Sequence, residues 1–521
     1  MKFIKCLFLV VFALATGLLN AEDSQNKKTN RIVVNADLGK ETISKFIYGH
    51  FAEHLGRCIY GGIYVGEDSD IPNTRGIRND VVEALKEIGP SVVRWPGGCF
   101  ADTYHWKDGI GPKEERPSIV NTHWGGVTED NSFGTHEFLD FCELIGAEPF
   151  ICVNVGSGTV QEAADWVEYV NSDAKSPMTE LRKQNGRAEP WNVKYWAVGN
   201  ESWGCGGHMT PDYYADLYKR FSTYMRSGRP FRVASGGTDP DFEWTETILK
   251  KTQNYTNLIQ GYSFHYYTFC HGWDDKSSAT QFDENDWFYT MKNTLIMEER
   301  LEKHIALMDE YDPENKIGIM ADEWGNWFDV EPGTNPGFLY QQNTLRDAVT
   351  AALYLNIYNN HARRIKMANI AQMINVLQAM LLTKEEQIVK TPTFYVFKMY
   401  KVHHDATLLP IDVVCKDYSY DGMSLPSISA SASKDQNGVI HISLCNIDLH
   451  NDRSIEIDLR GSNQWSDFAG EIIAAPNKND YNDFGKPEKV NIQEFSSFSV
   501  QNNVLKVDLP AKSVVTIALK N

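Results

Sequence analysis

The chain has 521 residues, of which 42% are hydrophobic and 12% aromatic, and its formal net charge at pH 7 is −19. This apolar content excludes a disordered protein, and the length fits a large catalytic domain plus a second domain. A negative charge of this size would repel phosphate backbones, so we expect no nucleic-acid partner.

The N-terminus carries Lys2 and Lys5, then an apolar run from Cys6 to about Ala15, and then small residues. This layout is typical of a secretory signal. We therefore predict a signal peptide over residues 1–21 and export to the periplasm or the medium. No other stretch approaches the roughly 18 uninterrupted apolar residues of a membrane-spanning helix, so membrane insertion is not expected.

From Phe46 onward, short apolar strands alternate with amphipathic helices, as in a parallel sheet. Eight strands are predicted, at Phe46–Phe51, Ser91–Trp95, Pro149–Val155, Val193–Gly199, Phe231–Ser235, Gly261–Tyr266, Lys316–Asp322 and Ile365–Ala371. Helices are predicted at Asn79–Ile88, Thr135–Ile145, Val160–Val170, Pro211–Met225, Asn293–Tyr311 and Leu345–Asn360. The pattern predicts an α/β fold, a (β/α)8 TIM barrel over residues 46–387. A doubly wound open sheet is the alternative, but the first strand is not followed by a Gly-x-Gly-x-x-Gly turn.

Beyond about Ile388 the helical periodicity fades and short alternating runs follow one another. These runs are Ser427–Ser433, Val439–Asn446, Ser454–Leu459, Val504–Leu509 and Ser513–Leu519. They predict a C-terminal antiparallel β-sandwich over residues 388–521. Residues 22–45 are read as a linker and one strand, Arg31–Asn35, which we expect to pair with the sandwich because the barrel is complete without it.

Two glutamates stand at the ends of predicted barrel strands. Glu201 follows the apolar stretch Tyr195–Gly199, and Glu323 follows Ile317–Asp322. The carboxyl ends of barrel strands meet at one face, where active sites lie. Two carboxylates there suit glycoside hydrolysis, in which one group holds a proton and the other is ionised.

Aromatic residues also follow the strand ends, and flat rings suit the C–H faces of sugars. They are Trp95, Trp106, Trp124, Trp203, Trp324, Trp327, Tyr266 and Tyr267. For each one, packing of the barrel top is the alternative.

Histidines and cysteines are less informative. His50-Phe51-Ala52-Glu53-His54 matches the residue pattern of a zinc-protease motif, which requires both histidines on one face of a helix. Strand-like residues precede it and Gly56 would break a helix, so we expect no metal. His403-His404 is expected at the surface. Cys142 and Cys152 are expected in the core, and Cys58, Cys99 and Cys205 lie in Gly-rich turns where either a bridge or a pocket-lining thiol would fit.

An ordered set of motifs resembles the α-L-arabinofuranosidases of glycoside hydrolase family 51. The set comprises Gly49-His50-Phe51-Ala52-Glu53-His54-Leu55-Gly56, Arg94-Trp95-Pro96-Gly97-Gly98-Cys99-Phe100, Gly109-Ile110-Gly111-Pro112, Gly199-Asn200-Glu201-Ser202-Trp203-Gly204-Cys205-Gly206-Gly207, Asp322-Glu323-Trp324 and Ile370-Ala371-Gln372-Met373-Ile374-Asn375. The motifs run from the first predicted strand to the eighth, so the resemblance covers nearly all of the chain.

The resemblance implies a role for each matching residue. Glu201 would be the acid/base, Glu323 the nucleophile, and Asn200 a hydrogen-bond partner of the sugar 2-hydroxyl. The residues implied to surround the furanose are Glu53, Arg94, Cys99, Trp124, Tyr267 and Gln372; at Cys99 the family often has Asn. The resemblance implies no metal or organic cofactor, and it implies a homo-oligomer.

The predicted activity is release of terminal non-reducing α-L-arabinofuranosyl groups from arabinan or arabinoxylan by double displacement. An endo-glucanase or xylosidase on the same scaffold is the first alternative. A non-catalytic polysaccharide-binding protein and a zinc hydrolase are the others.

Overall fold

The computed structural model describes residues 29–255, 257–461, 465, 467–501 and 504–520. The predicted signal peptide, residues 1–21, lies outside these ranges. The described residues form a closed parallel barrel and a two-sheet β domain. Within them, no helix combines the length and the apolar character that crossing a membrane requires.

The barrel has eight strands in sequence order around its circumference, and all neighbouring strands are parallel. The first to eighth strands are Gly49–Phe51, Val92–Trp95, Glu148–Val153, Tyr195–Val198, Phe231–Ala234, Gly261–Thr268, Gly318–Asn326 and Ile365–Ala371. The predicted barrel is thus confirmed. The first strand begins later than predicted, because Lys45–Tyr48 forms a 3-10 turn capped by the Ser44 side chain.

Helices separate the strands and surround the barrel. They span Asn79–Ile88, Thr135–Ile145, Val160–Asn171, Pro177–Gln184, Pro211–Tyr224, Phe242–Thr252, Glu284–Tyr311, Leu345–Asn360 and Pro392–Tyr400. The helix Pro392–Tyr400 lies where the sequence suggested fading helical order. It starts at Pro392, is capped by Thr391, and packs on Leu345–Asn360, so burial of its apolar side chains stabilises a short segment of weak periodicity.

Short turns and strand pairs connect the main helices and strands. The 3-10 turns are Lys45–Tyr48, Cys99–Thr103, Trp106–Gly109, Lys113–Glu115, Pro336–Phe338 and Lys401–His403. Two-stranded pairs join Asn73–Thr74 to Ile77–Arg78, Ile119–Val120 to Thr128–Glu129, Leu381–Lys384 to Gln387–Lys390, and Asp417–Tyr420 to Met423–Pro426. Several of these elements belong to the long connection between the second barrel strand and helix Thr135–Ile145.

The second domain consists of two sheets with a shared apolar core. One sheet has the order Ile411–Val414, Asn30–Asn35, Arg453–Arg460, Val504–Leu509, Phe498–Gln501. The other has the order Thr407–Leu408, Ile428–Lys434, Ile440–Asn446, Ser513–Lys520, Asp467–Ile473, Gln493–Glu494. The N-terminal strand lies inside the first sheet, parallel to Arg453–Arg460 and antiparallel to Ile411–Val414.

The expectation that His403-His404 lies at the surface is wrong for His403. Its ring is fully buried, and its two nitrogens lie 2.7 Å from Ser433 Oγ and 2.6 Å from Ser443 Oγ. The two serines belong to the second domain, so a polar residue in a charged segment is buried because that domain supplies its partners. Burial lowers the pKa of His403 to about 3, which keeps the ring neutral.

Candidate active site

A cavity of about 560 Å³ opens at the carboxyl ends of the barrel strands. Seven of the nine predicted site residues line it: Glu53, Cys99, Trp124, Glu201, Tyr267, Glu323 and Gln372. The other two, Arg94 and Asn200, are buried and bonded to each other, with Arg94 Nη2 donating to Asn200 Oδ1 at 2.6 Å. The structure therefore brings the whole predicted set together.

The two glutamates face each other across this cavity. One carboxylate oxygen of Glu201 and one of Glu323 lie within 4.8 Å of each other. Glu201 follows the fourth strand, whereas Glu323 lies within the seventh strand, which continues to Asn326. Retaining glycosidases hold their two carboxyl groups about 5–5.5 Å apart, and inverting ones about 6.5–9.5 Å apart. This upper limit on the oxygen–oxygen distance lies below the inverting range and is consistent with the retaining one.

Glu323 is surrounded by donors. Arg94 Nη1 donates to Glu323 Oε1 at 2.6 Å, and the Tyr267 hydroxyl donates to Oε2 at 2.8 Å. Arg94 also contacts Asp322, at 3.3 Å from Nε to Oδ2. Burial alone would lower the pKa of Arg94, but the charges of Asp322 and Glu323 raise it, so the guanidinium stays charged.

Glu53 also lines the cavity and is held by several donors. Its Oε1 accepts from the backbone N–H groups of Gly98 and Phe100 and from Trp124 Nε1, at 2.9–3.1 Å. Its Oε2 accepts from Gln372 Nε2 at 3.0 Å. Burial, together with the nearby charge of Glu323, raises the pKa of Glu53 to about 7. One carboxylate thus positions two further predicted contact residues.

His265, which the sequence analysis did not select, lies between the two glutamates. Its Nδ1 is 2.9 Å from Glu201 Oε1 and 3.6 Å from Glu323 Oε2, and its Nε2 is 3.4 Å from Asp322 Oδ1. Burial alone would lower the pKa of His265, but Glu323, Asp322 and Glu201 together raise it to about 10. The sequence did contain an indication of His265. It lies two residues before Tyr267 on the same strand, so the two side chains point to the same face.

Asp102 is a second residue that sequence reasoning missed. It is buried in the 3-10 turn Cys99–Thr103 and accepts from the backbone N–H groups of Val155, Gly156 and Asn200 at 2.7–3.0 Å. These contacts join the loops after the second and third strands to the end of the fourth. No strand-end motif marks Asp102, so only its contacts reveal this role.

The turn that carries Glu201 has an unusual backbone. Glu201 has φ +38°, in the left-handed region that costs a non-glycine residue conformational energy. Its carbonyl oxygen accepts from the N–H groups of Gly204 and Gly206, at 2.7 and 3.1 Å. The surrounding contacts therefore hold the side chain of Glu201 over the cavity.

Cys99 and Cys205 form a disulfide that lines the cavity. The bridge links the turn that contains Asp102 to the turn that contains Glu201. Cys99 has no thiol to offer a sugar, so its predicted contact would be made through the bridged sulfur. Cys58, Cys142 and Cys152 are free and buried.

The side chains of the zinc-like motif His50–His54 do not meet at one site. His50 packs against the Phe397 ring at 5.1 Å, while His54 stacks on Phe100 at 4.7 Å and lies 3.3 Å from Glu129. Of the motif's three polar residues, Glu53 alone is among the cavity-lining residues. The three donor groups therefore cannot bind one ion together.

Four groups of described side chains bring donor atoms within 4.8 Å of one another. One contains the bridged Cys99 and Cys205 together with Glu201, and another, formed by Glu298, Glu302 and His361, does not line the cavity. The remaining two are Glu201, His265 and Glu323 in the cavity, and Cys270, His271 and Asp286 beside it. Hydrogen bonds account for both groups. In the second, His271 Nε2 lies 2.8 Å from Asp286 Oδ1, and the Cys270 thiol donates to the backbone oxygen of Asp286.

Comparison with known proteins agrees with this geometry. Residues 84–287 match the sequence profile of the alpha-L-arabinofuranosidase 1 domain, and residues 322–513 match that of the alpha-L-arabinofuranosidase C-terminal domain. An intracellular exo-alpha-L-arabinofuranosidase of Bacteroides ovatus is 53% identical over 99% of both chains. A probable alpha-L-arabinofuranosidase C of Aspergillus niger is 35% identical over 84% of this chain and 88% of its own.

Solved structures show the same likeness. The family 51 arabinofuranosidase of Xanthomonas axonopodis pv. citri superimposes with a TM-score of 0.92 at 44% identity, over 94% of this chain and 100% of that one. The alpha-L-arabinofuranosidase of Thermotoga maritima, solved as an arabinose complex, gives a TM-score of 0.82 at 31% identity, over 95% and 100%. The predicted barrel with a C-terminal antiparallel domain is therefore confirmed.

The prediction of export is wrong. The Bacteroides ovatus relative aligns with 99% of this chain and is named as intracellular. A short apolar run after two lysines is a compositional pattern only, and a relative of full length outweighs it.

The paired strand-end carboxylates, the surrounding donors and the full-length relatives agree. The chain belongs to the α-L-arabinofuranosidases of glycoside hydrolase family 51.

Proposed function

We propose that Glu323 is the nucleophile and Glu201 the acid/base of a retaining hydrolase that releases terminal α-L-arabinofuranosyl groups. The observation that carries the retaining mechanism is the separation of the two carboxylates, within 4.8 Å between oxygens, inside one cavity. The division of roles between the two glutamates rests on the family resemblance. A water molecule activated on the far side of the sugar, as inversion requires, needs a wider gap.

The reaction has two displacements. In the first, a Glu323 carboxylate oxygen bonds to the anomeric carbon while the bond to the leaving oxygen breaks, and Glu201 gives its proton to that oxygen. In the second, Glu201 takes a proton from water, whose oxygen bonds to the anomeric carbon as Glu323 departs. Free arabinose is the product, and both carboxyl groups return to their starting states.

The surroundings of the two glutamates support their different roles. The Glu323 side chain is 7% exposed and accepts from Arg94 and Tyr267, whereas the Glu201 side chain is 20% exposed. A nucleophile benefits from fixed orientation, while an acid/base must exchange protons with water. The greater exposure of Glu201 suits that exchange.

Other residues are assigned to hold the sugar. The Asn200 amide oxygen accepts from Arg94, and the amide nitrogen donates one N–H to Cys205 Sγ at 3.7 Å. Its second N–H is assigned to the sugar 2-hydroxyl. Glu53 and the two side chains bonded to it, Trp124 and Gln372, offer hydroxyl partners and one flat ring. We propose arabinan or arabinoxylan fragments as substrates, and the implied homo-oligomer stays a prediction.

Substitution of Glu323 tests the nucleophile. We expect Glu323→Ala to reduce kcat on an aryl α-L-arabinofuranoside by at least about 10⁴-fold, because no covalent intermediate can form. The variant's circular dichroism should match that of the wild type. Substantial remaining turnover in a folded variant would exclude Glu323 as nucleophile.

Substitution of Glu201 tests the acid/base. Glu201→Ala should hydrolyse a substrate with a good leaving group slowly, and azide should restore turnover by replacing the activated water. The product should be the α-L-arabinofuranosyl azide, detected by mass and NMR, because azide attacks the β-linked glycosyl-enzyme in place of water. Any azide product of Glu323→Ala should instead be the inverted β-azide, formed by direct attack on the substrate. A β-azide from Glu201→Ala would therefore reverse the assignment. Chain shortening of arabinan without free arabinose would instead favour an endo-acting enzyme.

A further inference from the structure

The cavity does not end at the two glutamates. On the side of the sixth and seventh strands its lining continues outward to Phe269, Trp327 and Trp273. Trp273 is 60% exposed, although exposed indole surface is unfavourable in water. A lone exposed aromatic ring would need no explanation, but this one continues the wall of a sugar-binding cavity.

The rings form an unbroken path from the nucleophile to the surface. Tyr267, which donates to Glu323, has its ring centroid 5.1 Å from that of Trp327. Trp327 lies 5.9 Å from Phe269 and 5.3 Å from Trp273, and Phe269 lies 5.6 Å from Trp273. The inner end of this path belongs to the catalytic site, and Trp273 is its outer end.

Trp273 is held in place by its own loop. Lys276 Nζ lies 4.2 Å from the Trp273 ring centroid and donates to the Trp273 carbonyl oxygen at 2.5 Å. The same loop is joined to the segment after the seventh strand, where the N–H of Asp329 donates to the Ser277 carbonyl oxygen at 2.9 Å. Because one ring face is covered by Lys276 and the residue is still 60% exposed, the remaining ring surface is available to a ligand.

We propose that Trp273 forms an outer subsite for the leaving group. Its indole ring stacks on a neutral sugar ring that lies at least two units from the cleaved bond. The inference rests on the proposed function, since that function places the terminal arabinofuranose at the Glu53 end of the cavity and the leaving group toward Trp327. A flat indole and a neutral sugar face fit because the C–H groups of the sugar meet the electron-rich ring. The subsite therefore favours leaving groups of two or more sugars over a single ring.

The test compares Trp273→Ala and Trp273→Phe with a matched control, Tyr213→Ala, whose ring is equally exposed at 60% and does not line the cavity. Each variant is assayed on an aryl α-L-arabinofuranoside and on α-1,5-linked arabino-oligosaccharides of two, three and four units. In the wild type, kcat/KM should rise from the dimer to the trimer.

In Trp273→Ala we expect kcat/KM on the trimer to fall about tenfold, the size of one aromatic contact, and on the aryl substrate to change less than about twofold. Trp273→Phe should recover part of the loss, and Tyr213→Ala should behave as the wild type. An equal loss on both substrates, or no rise with chain length in the wild type, would overturn the outer subsite. Failure of the wild type to release arabinose from the aryl substrate would instead overturn the proposed function.

Discussion

His265 shows how one side chain can tie the two carboxylates together. Its Nδ1 lies 2.9 Å from Glu201 and 3.6 Å from Glu323, and the ring is buried. Three acidic neighbours raise its pKa to about 10, against a model-peptide value near 6.5. The imidazolium thus offsets part of the repulsion between two carboxylates that the reaction requires to be close.

This shift predicts a pH-dependent stability. A histidine whose folded pKa is raised stabilises the fold fully below its unfolded pKa, and that stabilisation disappears as pH rises toward the folded pKa. The difference in free energy of unfolding between wild type and His265→Asn should therefore be largest near pH 6 and should shrink by a few kcal/mol by pH 10, since one pKa unit is about 1.4 kcal/mol. Urea unfolding at both pH values measures it, and a difference that grows with pH would contradict the prediction.

Among the elements around the site, the 3-10 turn Cys99–Thr103 supports the turn that carries Glu201. It supplies Cys99 for the bridge to Cys205 and Asp102 for the hydrogen bond to the Asn200 N–H, at 3.0 Å. These two attachments lie on either side of Glu201, whose backbone has φ +38°. The turn therefore fixes a conformation that Glu201 would not adopt alone.

Asp102→Asn should disturb this support while leaving the cavity intact. An amide nitrogen in place of one carboxylate oxygen cannot accept from a backbone N–H, so the Glu201 turn should shift. We expect kcat to fall about 10- to 100-fold with a smaller change in KM, because misplacement of a catalytic group by about 1 Å has effects of that size.

The matched control is Asp108→Asn, in the neighbouring 3-10 turn Trp106–Gly109. It should keep wild-type kinetics. The pH profile of kcat should also change shape in Asp102→Asn, which a general loss of folded protein would not cause. Unchanged kcat and pH profile in the folded variant would show that Asp102 does not position Glu201.

At the scale of the whole molecule, helix Leu345–Asn360 connects the barrel to the second domain. Buried Asn359 accepts from the Tyr48 hydroxyl at 2.9 Å and donates to Ser431 Oγ at 3.2 Å, so it bonds to both domains. Trp287 Nε1 donates to the Ile447 carbonyl oxygen at 2.9 Å across the same interface. Helix Leu345–Asn360 is the helix that follows the seventh strand, which holds Glu323. The contacts with the second domain are therefore made by the helix next in the chain after a site strand.

Asn359→Ala should destabilise both domains together. It leaves a buried tyrosine hydroxyl without its acceptor, which costs about 1–3 kcal/mol. Calorimetry should show one transition at a lower temperature. Asn360→Ala, which removes one bond to the Ala430 carbonyl oxygen from an exposed side chain, should have a smaller effect. Two transitions, of which only one shifts, would contradict coupling through Asn359.

Local sequence patterns were sufficient to predict the barrel, the antiparallel domain and the two glutamates at the strand ends. Strand and helix periodicity is a local property, and the carboxyl end of each parallel strand must face the same side, so Glu201 and Glu323 could be placed together before any distance was known. Helices such as Leu345–Asn360 were predicted with their observed bounds because caps and apolar spacing lie within the segment itself.

Four features became visible only in the folded chain: the Cys99–Cys205 bridge, the position of His265 between the glutamates, the backbone contacts of Asp102 and the burial of His403. Each depends on atoms that are distant along the chain, 106 residues apart for the bridge, and no local pattern records that distance. The catalytic residue types can thus be predicted from a sequence when their place follows from a general rule of the fold, such as the common face of parallel strand ends. The contacts that position those residues depend on how distant segments pack, which the sequence pattern does not give.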